Sequence, residues 1–156
     1  MAASFAHVVA RYDMLLRANR LREIVSEIDT ALVGLSEQKQ VELLRIKALA
    51  LARAGSIELA REALAELRRR SSTDPQRLSQ TYTLEGQIHL EVKQSGGALA
   101  AYREAYRIFP DTTTLYMIAS IAEGLGDRAQ ALWAYVNLCQ REPLGDQSRC
   151  RQAAIA

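Results

Sequence analysis

The sequence predicts an all-α protein, and three observations carry that prediction. Apolar residues recur at three- and four-residue steps through most of the chain, the period of a helix rather than the alternation of a strand. The breaks between these runs are short and built from turn-forming residues: Asn19-Arg20, Gly55-Ser56, Ser95-Gly96-Gly97 and Gly126-Asp127. The 156 residues are 49% hydrophobic and 24% charged, the balance of a packed globular chain long enough for one sizeable core. A single domain over 1–156 is therefore expected.

Residues 5–17 read as the first helix, with Val8, Tyr12, Leu15 and Leu16 on one face. Residues 21–35 follow, with Ile24, Ile28, Ala31, Leu32 and Leu35 in period. Residues 38–54 carry Val41, Leu44, Ala48 and Leu51, and Gly55-Ser56 supplies a break and a cap. Residues 57–70 carry Ala60, Leu64 and Leu67 and close on Arg68-Arg69-Arg70, basic residues that complement the negative end of the helix dipole. Ser71 to Pro75 is the longest polar break; it reads as a loop within one domain, with Asp74 as cap and Pro75 in the first turn of the next helix. Residues 76–93 hold Leu78, Tyr82, Gly86, His89 and Leu90, and Ser95-Gly96-Gly97 is predicted to turn the chain. Ala98, Tyr102 and Ala105 lead to Pro110. In 111–143, Leu115, Ile118, Ala119 and Ala122 are in period before Gly126, and Ala131, Leu132, Tyr135 and Leu138 after it. A short last helix is expected over 147–155.

The places held by Leu115, Ala119, Gly126, Ala131, Tyr135 and Pro143, and again by Tyr82, Gly86, Ala98, Tyr102, Ala105 and Pro110, resemble the tetratricopeptide repeat. In that repeat a large residue, a small one, a Gly turn, an Ala, an aromatic and a closing Pro fall at fixed points in about 34 residues. The resemblance is full over 79–143, partial over 41–70, where Leu67 stands at a small place, and weak over 5–38, where Arg11 falls at a large apolar place. It implies a right-handed α-solenoid of about four helix pairs, 5–38, 41–74, 79–111 and 112–145. A C-terminal capping helix over 146–156 would follow.

Function classes narrow by what the residues lack. A net charge of +2 is too weak to argue for nucleic acid, and no apolar run approaches the roughly 20 residues of a membrane span. His7 and His89 are the only histidines, and His89 is expected as a packed, hydrogen-bonded ring. No Ser or Cys sits in an activating context, no phosphate loop is present, and Cys139 and Cys150 fit no zinc spacing. No catalytic residue, metal or cofactor is expected. The start MAASFAHVVARYD has no basic leader, which predicts a cytoplasmic protein with two free thiols. A chain whose leader had been removed would read the same, and would be periplasmic and able to join Cys139 to Cys150.

The resemblance places the first helix of each pair along a concave inner wall. The inward residues it implies are Arg45, Leu49, Ala52 and Arg53, then Gln80, Thr83, Gln87, Leu90 and Glu91, then Thr113, Tyr116, Ser120 and Glu123. Such a mixed groove suits an extended or helical peptide. It is not the clamp for a C-terminal carboxylate, because Leu49 and Leu84 stand where such repeats need an amide. Trp133 falls at an outward place on its helix, either covered by the terminal helix or free as an interface anchor. The function expected is non-catalytic binding of a protein or peptide, as a bacterial envelope or secretion-assembly subunit. A small cytosolic secretion-system chaperone and a structural homo-oligomerisation module stay open beside it.

Overall fold

Four backbone residues in the left-handed region set out the chain: Asn19 (φ 56°), Gly55 (φ 84°), Lys93 (φ 59°) and Gly126 (φ 73°). Each ends one helix and is followed at once by the next. In every case the N–H after it reaches back over the last turn: Arg20 to the Leu15 carbonyl (2.9 Å), Ser56 to Leu51 (2.9 Å), Gln94 to His89 (2.8 Å) and Asp127 to Ala122 (2.9 Å). The N–H of the left-handed residue itself bonds three residues back, to Leu16, Ala52, Leu90 and Glu123 respectively. Orphan carbonyls of the helix end are thus satisfied four times by one device.

The computed structural model describes residues 3–141. Among them are eight helices and no strand: α1 Phe5–Arg17, α2 Leu21–Leu32, α3 Glu37–Arg53, α4 Ile57–Ser71, α5 Pro75–Glu91, α6 Ser95–Ile108, α7 Thr112–Gly124 and α8 Arg128–Arg141. The expected cap over 146–156, together with Pro143 and Cys150, lies outside the described residues. The chain divides between Thr73 and Asp74, inside the polar break, into two compact units.

In the first unit α2 packs on α3 and α3 on α4, with α1 against both α2 and α3. Tyr12, Leu15, Ile24, Ile28, Leu43 and Ile46 form a buried cluster there. A polar chain ties three of its helices. Gln40 donates its side-chain amide to the Leu32 carbonyl at the end of α2 (3.2 Å) and accepts from Arg70 of α4 (2.7 Å). Arg69 and Arg70 both pair with Glu66, so two of the three consecutive arginines are engaged within their own helix. In the second unit α5 packs on α6, α6 on α7 and α7 on α8, around Leu99, Tyr102, Leu115, Ile118, Ala119 and Leu138.

Counting from the left-handed residue puts the four pairs in one register. Seven places before it stand Tyr12, Ala48, Gly86 and Ala119, all buried. Five places after it stand Ile24, Ala60, Ala98 and Ala131, again all buried. Nine after it stand Ile28, Leu64, Tyr102 and Tyr135. In the second, third and fourth pairs a small residue on one helix thus accompanies a large one on its mate; the first pair has the large Tyr12 at that place. The third pair is the extreme case: a Cβ on Gly86 would lie 2.6 Å from Tyr102 Cε2. The expected close approach at Gly86 is present.

Several expectations are corrected. The turn between α5 and α6 uses Lys93, not Ser95-Gly96-Gly97, which open α6. Gly97 serves a different purpose: a Cβ there would fall 2.7 Å from the His89 ring. Helix α2 stops at Leu32 rather than Leu35, because the chain turns through Gly34 at φ 76°. In the turn register Val8, half-buried, takes the large apolar place of the first pair; Arg11 is exposed and bonds Glu27 of α2. Ser56 stands at the start of α4 without a side-chain cap bond.

Asp74 caps α5 as the sequence predicts, and Asp127 and Asp111 accept in the same way ahead of α8 and α7. Asp74 accepts from the Arg77 N–H (3.1 Å), Asp127 from the Gln130 N–H (3.1 Å), and Asp111 from both the Thr114 N–H (2.7 Å) and its hydroxyl (3.0 Å). Asp111→Ala should cost about 1 kcal/mol, and Ser36→Ala, which removes no cap bond, only a few tenths. Equal losses in thermal melts would contradict this assignment of caps. Lys93→Gly should gain up to about 1 kcal/mol by relieving a side chain held in the left-handed region. A destabilised Lys93→Gly would argue against the turn.

Candidate functional site

The candidate surface is a stripe on the first helix of the second, third and fourth pairs, set in nearly the same register. On α3 it runs through Arg45, Leu49 and Arg53; on α5 through Gln80, Thr83, Gln87 and Glu91; on α7 through Thr113, Tyr116, Ser120 and Glu123. Steps of three and four residues keep each set on one side of its helix. Arg53, Gln80, Gln87, Glu91, Thr113, Ser120 and Glu123 are exposed, whereas Arg45, Thr83 and Tyr116 are half-buried.

The half-buried members are anchored. The Thr83 hydroxyl donates to the Ser79 carbonyl within α5 (3.1 Å). Tyr116 packs against the core of the second unit while keeping part of its ring outside. Burial pulls the Arg45 guanidinium below its usual value, partly offset by the nearby Glu42 carboxylate. Leu49 packs on the first unit's core. Ala52, expected in the groove, is buried, and Leu90 packs on the second unit's core. The reason is position: each lies nearer the side of its helix that meets the core.

The stripe on α3 belongs to the first unit and those on α5 and α7 to the second. Chemically these are surfaces of hydrogen-bonding groups with one aromatic ring and separated charges of both signs. Among the described residues no three of His, Cys, Asp and Glu come together in a way that could hold a metal ion. His89 is half-buried; its Nδ1 lies 3.0 Å from Gln94 Oε1 and its ring rests over Gly97. Among the described residues no helix is long and apolar enough to cross a membrane.

A second surface was less legible. On α8, Trp133 is 42% exposed and meets Tyr106 of α6 edge-on, with centroids 5.5 Å apart at 89°. The Arg141 guanidinium lies 5.4 Å from the centre of that same tyrosine ring. Leu132 and Val136 on α8 are exposed as well. Helical periodicity places Leu132 with the core residues Ala131 and Leu138, and only the packed structure shows it outside. The first unit also carries a cleft of about 330 Å³ lined by Val25, Leu44, Leu51 and Leu59 and bridged by the Lys47–Asp29 pair (2.6 Å). Cys139 is half-buried and is not a free thiol, contrary to the expectation of two free thiols.

No protein-family model, curated protein or solved structure matches this chain.

Proposed function

We propose that the chain is a helical repeat of the tetratricopeptide type, stacked as a right-handed solenoid, and that it binds a protein or peptide on the exposed stripe of its first helices without catalysing a reaction. The observation that carries this reading is the shared register. Helix pairs that share one turn place, three of them with a buried small-to-large fit, leave corresponding rows of side chains outside on α3, α5 and α7. In the second unit that row is amides, hydroxyls, carboxylates and one tyrosine, groups suited to hydrogen-bonding a peptide backbone while Tyr116 fills an apolar position.

Of the narrower forms, a bacterial envelope assembly in an oxidising compartment is favoured over a cytosolic chaperone by the state of Cys139. A homo-oligomerisation module is the second reading, favoured by exposed Trp133, Val136 and Phe109, an apolar and aromatic set of the kind found at interfaces.

The test is capture of partners by the tagged protein, identified by mass spectrometry, repeated with variants. Gln87→Lys and Arg53→Glu alter exposed members of the stripe and should weaken retention about tenfold or more with unchanged melting. Tyr116→Ala should do the same but also lower stability, because the ring packs on the core. Retention lost only on Trp133→Ala, with the stripe variants at full strength, would move the binding site to α8.

A further inference from the structure

We infer that the cleft between α2 and α4 is a second binding site, and that it takes an aromatic side chain of a peptide or protein partner with a basic residue beside it. The site is separate from the stripe on the first helices. Leu44, Lys47 and Leu51 line it from α3, and helical spacing puts these on the other side of that helix from Arg45, Leu49 and Arg53.

Helices α2 and α4 both pack on α3, and the cleft of about 330 Å³ is lined from all three. Leu44, Leu51 and Ala63 are its buried floor. Val25 is half-buried at one wall, and Leu59 at the other is 52% exposed. A volume of this order suits a small group held against apolar walls.

The second unit shows what fills the equivalent place. Counted from the left-handed turn residues, Val25 of α2 corresponds to Leu99 of α6, and Leu44 and Leu51 of α3 to Leu115 and Ala122 of α7. Ala63 of α4 corresponds to Ala134 of α8. Those four residues of the second unit are all in its buried core. Seven places after the turn residue, α8 has Trp133 where α4 has Glu62. Trp133 reaches from α8 to α6, where its ring meets Tyr106 edge-on with centroids 5.5 Å apart. In the first unit the place of Tyr106 holds Leu32. With neither ring present, the cleft there stays open to a ring from outside.

Charge selects what carries that ring. At the rim, Lys47 donates to Asp29 (2.6 Å), and Glu66 is held by Arg69 and Arg70. Glu62, exposed at the cleft edge, is left without an ion pair among the described residues. It stands four residues from both Glu58 and Glu66, like charges that repel along one helix face. A basic residue next to the bound ring would pair with Glu62 and relieve that repulsion, whereas an acidic one would add to it.

The isotope-labelled full chain is titrated with N-acetyl-tryptophanyl-arginine amide and followed by its backbone amide signals. Those of Val25, Leu51, Leu59 and Ala63 should shift. N-acetyl-tryptophanyl-glutamate amide should bind about threefold more weakly, the worth of one exposed charge pair. Glu62→Gln should abolish that preference with unchanged melting. Glu62→Trp should weaken the arginine probe about tenfold or more by filling the cleft from within, with melting unchanged or raised. Shifts confined to stripe residues such as Gln87 and Tyr116, equal affinity for the two probes, or indifference to Glu62→Trp would each overturn the inference. So would melting lowered by Glu62→Trp, which would show that the cleft rejects an indole. The same cleft signals moving on dilution of the protein alone would give the cleft to a second copy and overturn it too. Failure of the stripe as a binding surface leaves the cleft signals untouched, so the two readings are told apart.

Discussion

Gly86→Leu is expected to cost this protein at the upper end of about 1–3 kcal/mol, or more. The Cβ alone would stand 2.6 Å from Tyr102 Cε2 and 2.8 Å from Cδ2, distances that no packed pair tolerates. The ring has no free volume to retreat into, since Tyr102 is 1% exposed and enclosed by the core that α6 shares with α7 and α8. Either the ring leaves its rotamer or α5 and α6 separate, and separation also strains the buried bond from the Ser79 hydroxyl to the Ala105 carbonyl (2.9 Å). Chemical denaturation should show an earlier midpoint. Placing Tyr102→Ala in the same chain should recover part of the loss, because the two changes act on one contact and do not add. An unchanged midpoint for Gly86→Leu would mean the third pair is out of register.

Tyr102→Ala on its own should be at least as costly, about 3–5 kcal/mol, the usual range for deleting a fully buried aromatic ring. It removes the filler opposite a glycine, so the hole left cannot be closed by a longer side chain across the interface. Tyr135 occupies the equivalent place in the fourth pair but is only half-buried, and Ala119 stands there at the place of Gly86. Tyr135→Ala should therefore cost clearly less. Equal losses at the two sites would show that the Gly86 contact contributes nothing special. Burial also raises the Tyr102 phenol above its ordinary value of 10.0. A raised folded value favours the neutral form, so this contribution is intact below pH 10 and falls away as the phenol ionises above it.

How much of this was legible in the sequence follows from what each feature depends on. The helices were legible because burial repeats at three and four residues, and the Asp caps because an acidic residue before an apolar run has few other uses. The Lys93 turn was not. A glycine pair lay three residues away, and propensity favours glycine for a left-handed residue. The deciding factor was tertiary: with Gly97 needed under the His89 ring, the turn had to come earlier. The division at Thr73 was equally hidden, since a polar break of that length reads the same within a unit as between units. On the candidate surface, the exposed stripe residues were found by register, whereas Ala52 and the exposed Leu132 were misplaced. Both lie at the border of the apolar face, where a small rotation of the helix decides which side a residue joins.

The ion pairs add little to this account. Arg11 holds the Glu27 carboxylate below its ordinary value, and Arg107 does the same for Glu104 through a two-point contact, but both arginines are exposed and both carboxylates remain in reach of solvent. Solvent screening leaves pairs of this kind little net contribution to stability. The fold rests on packing in register.

That register has a direct test in backbone NMR assignment of the intact protein. Chemical shifts and amide couplings should report a left-handed backbone at Asn19, Gly55, Lys93 and Gly126, with hydrogen-bonded amides at Arg20, Ser56, Gln94 and Asp127. Lys93 in an ordinary right-handed or extended conformation, with Gly96 or Gly97 taking the positive φ instead, would contradict the shared turn and with it the alignment of all four pairs.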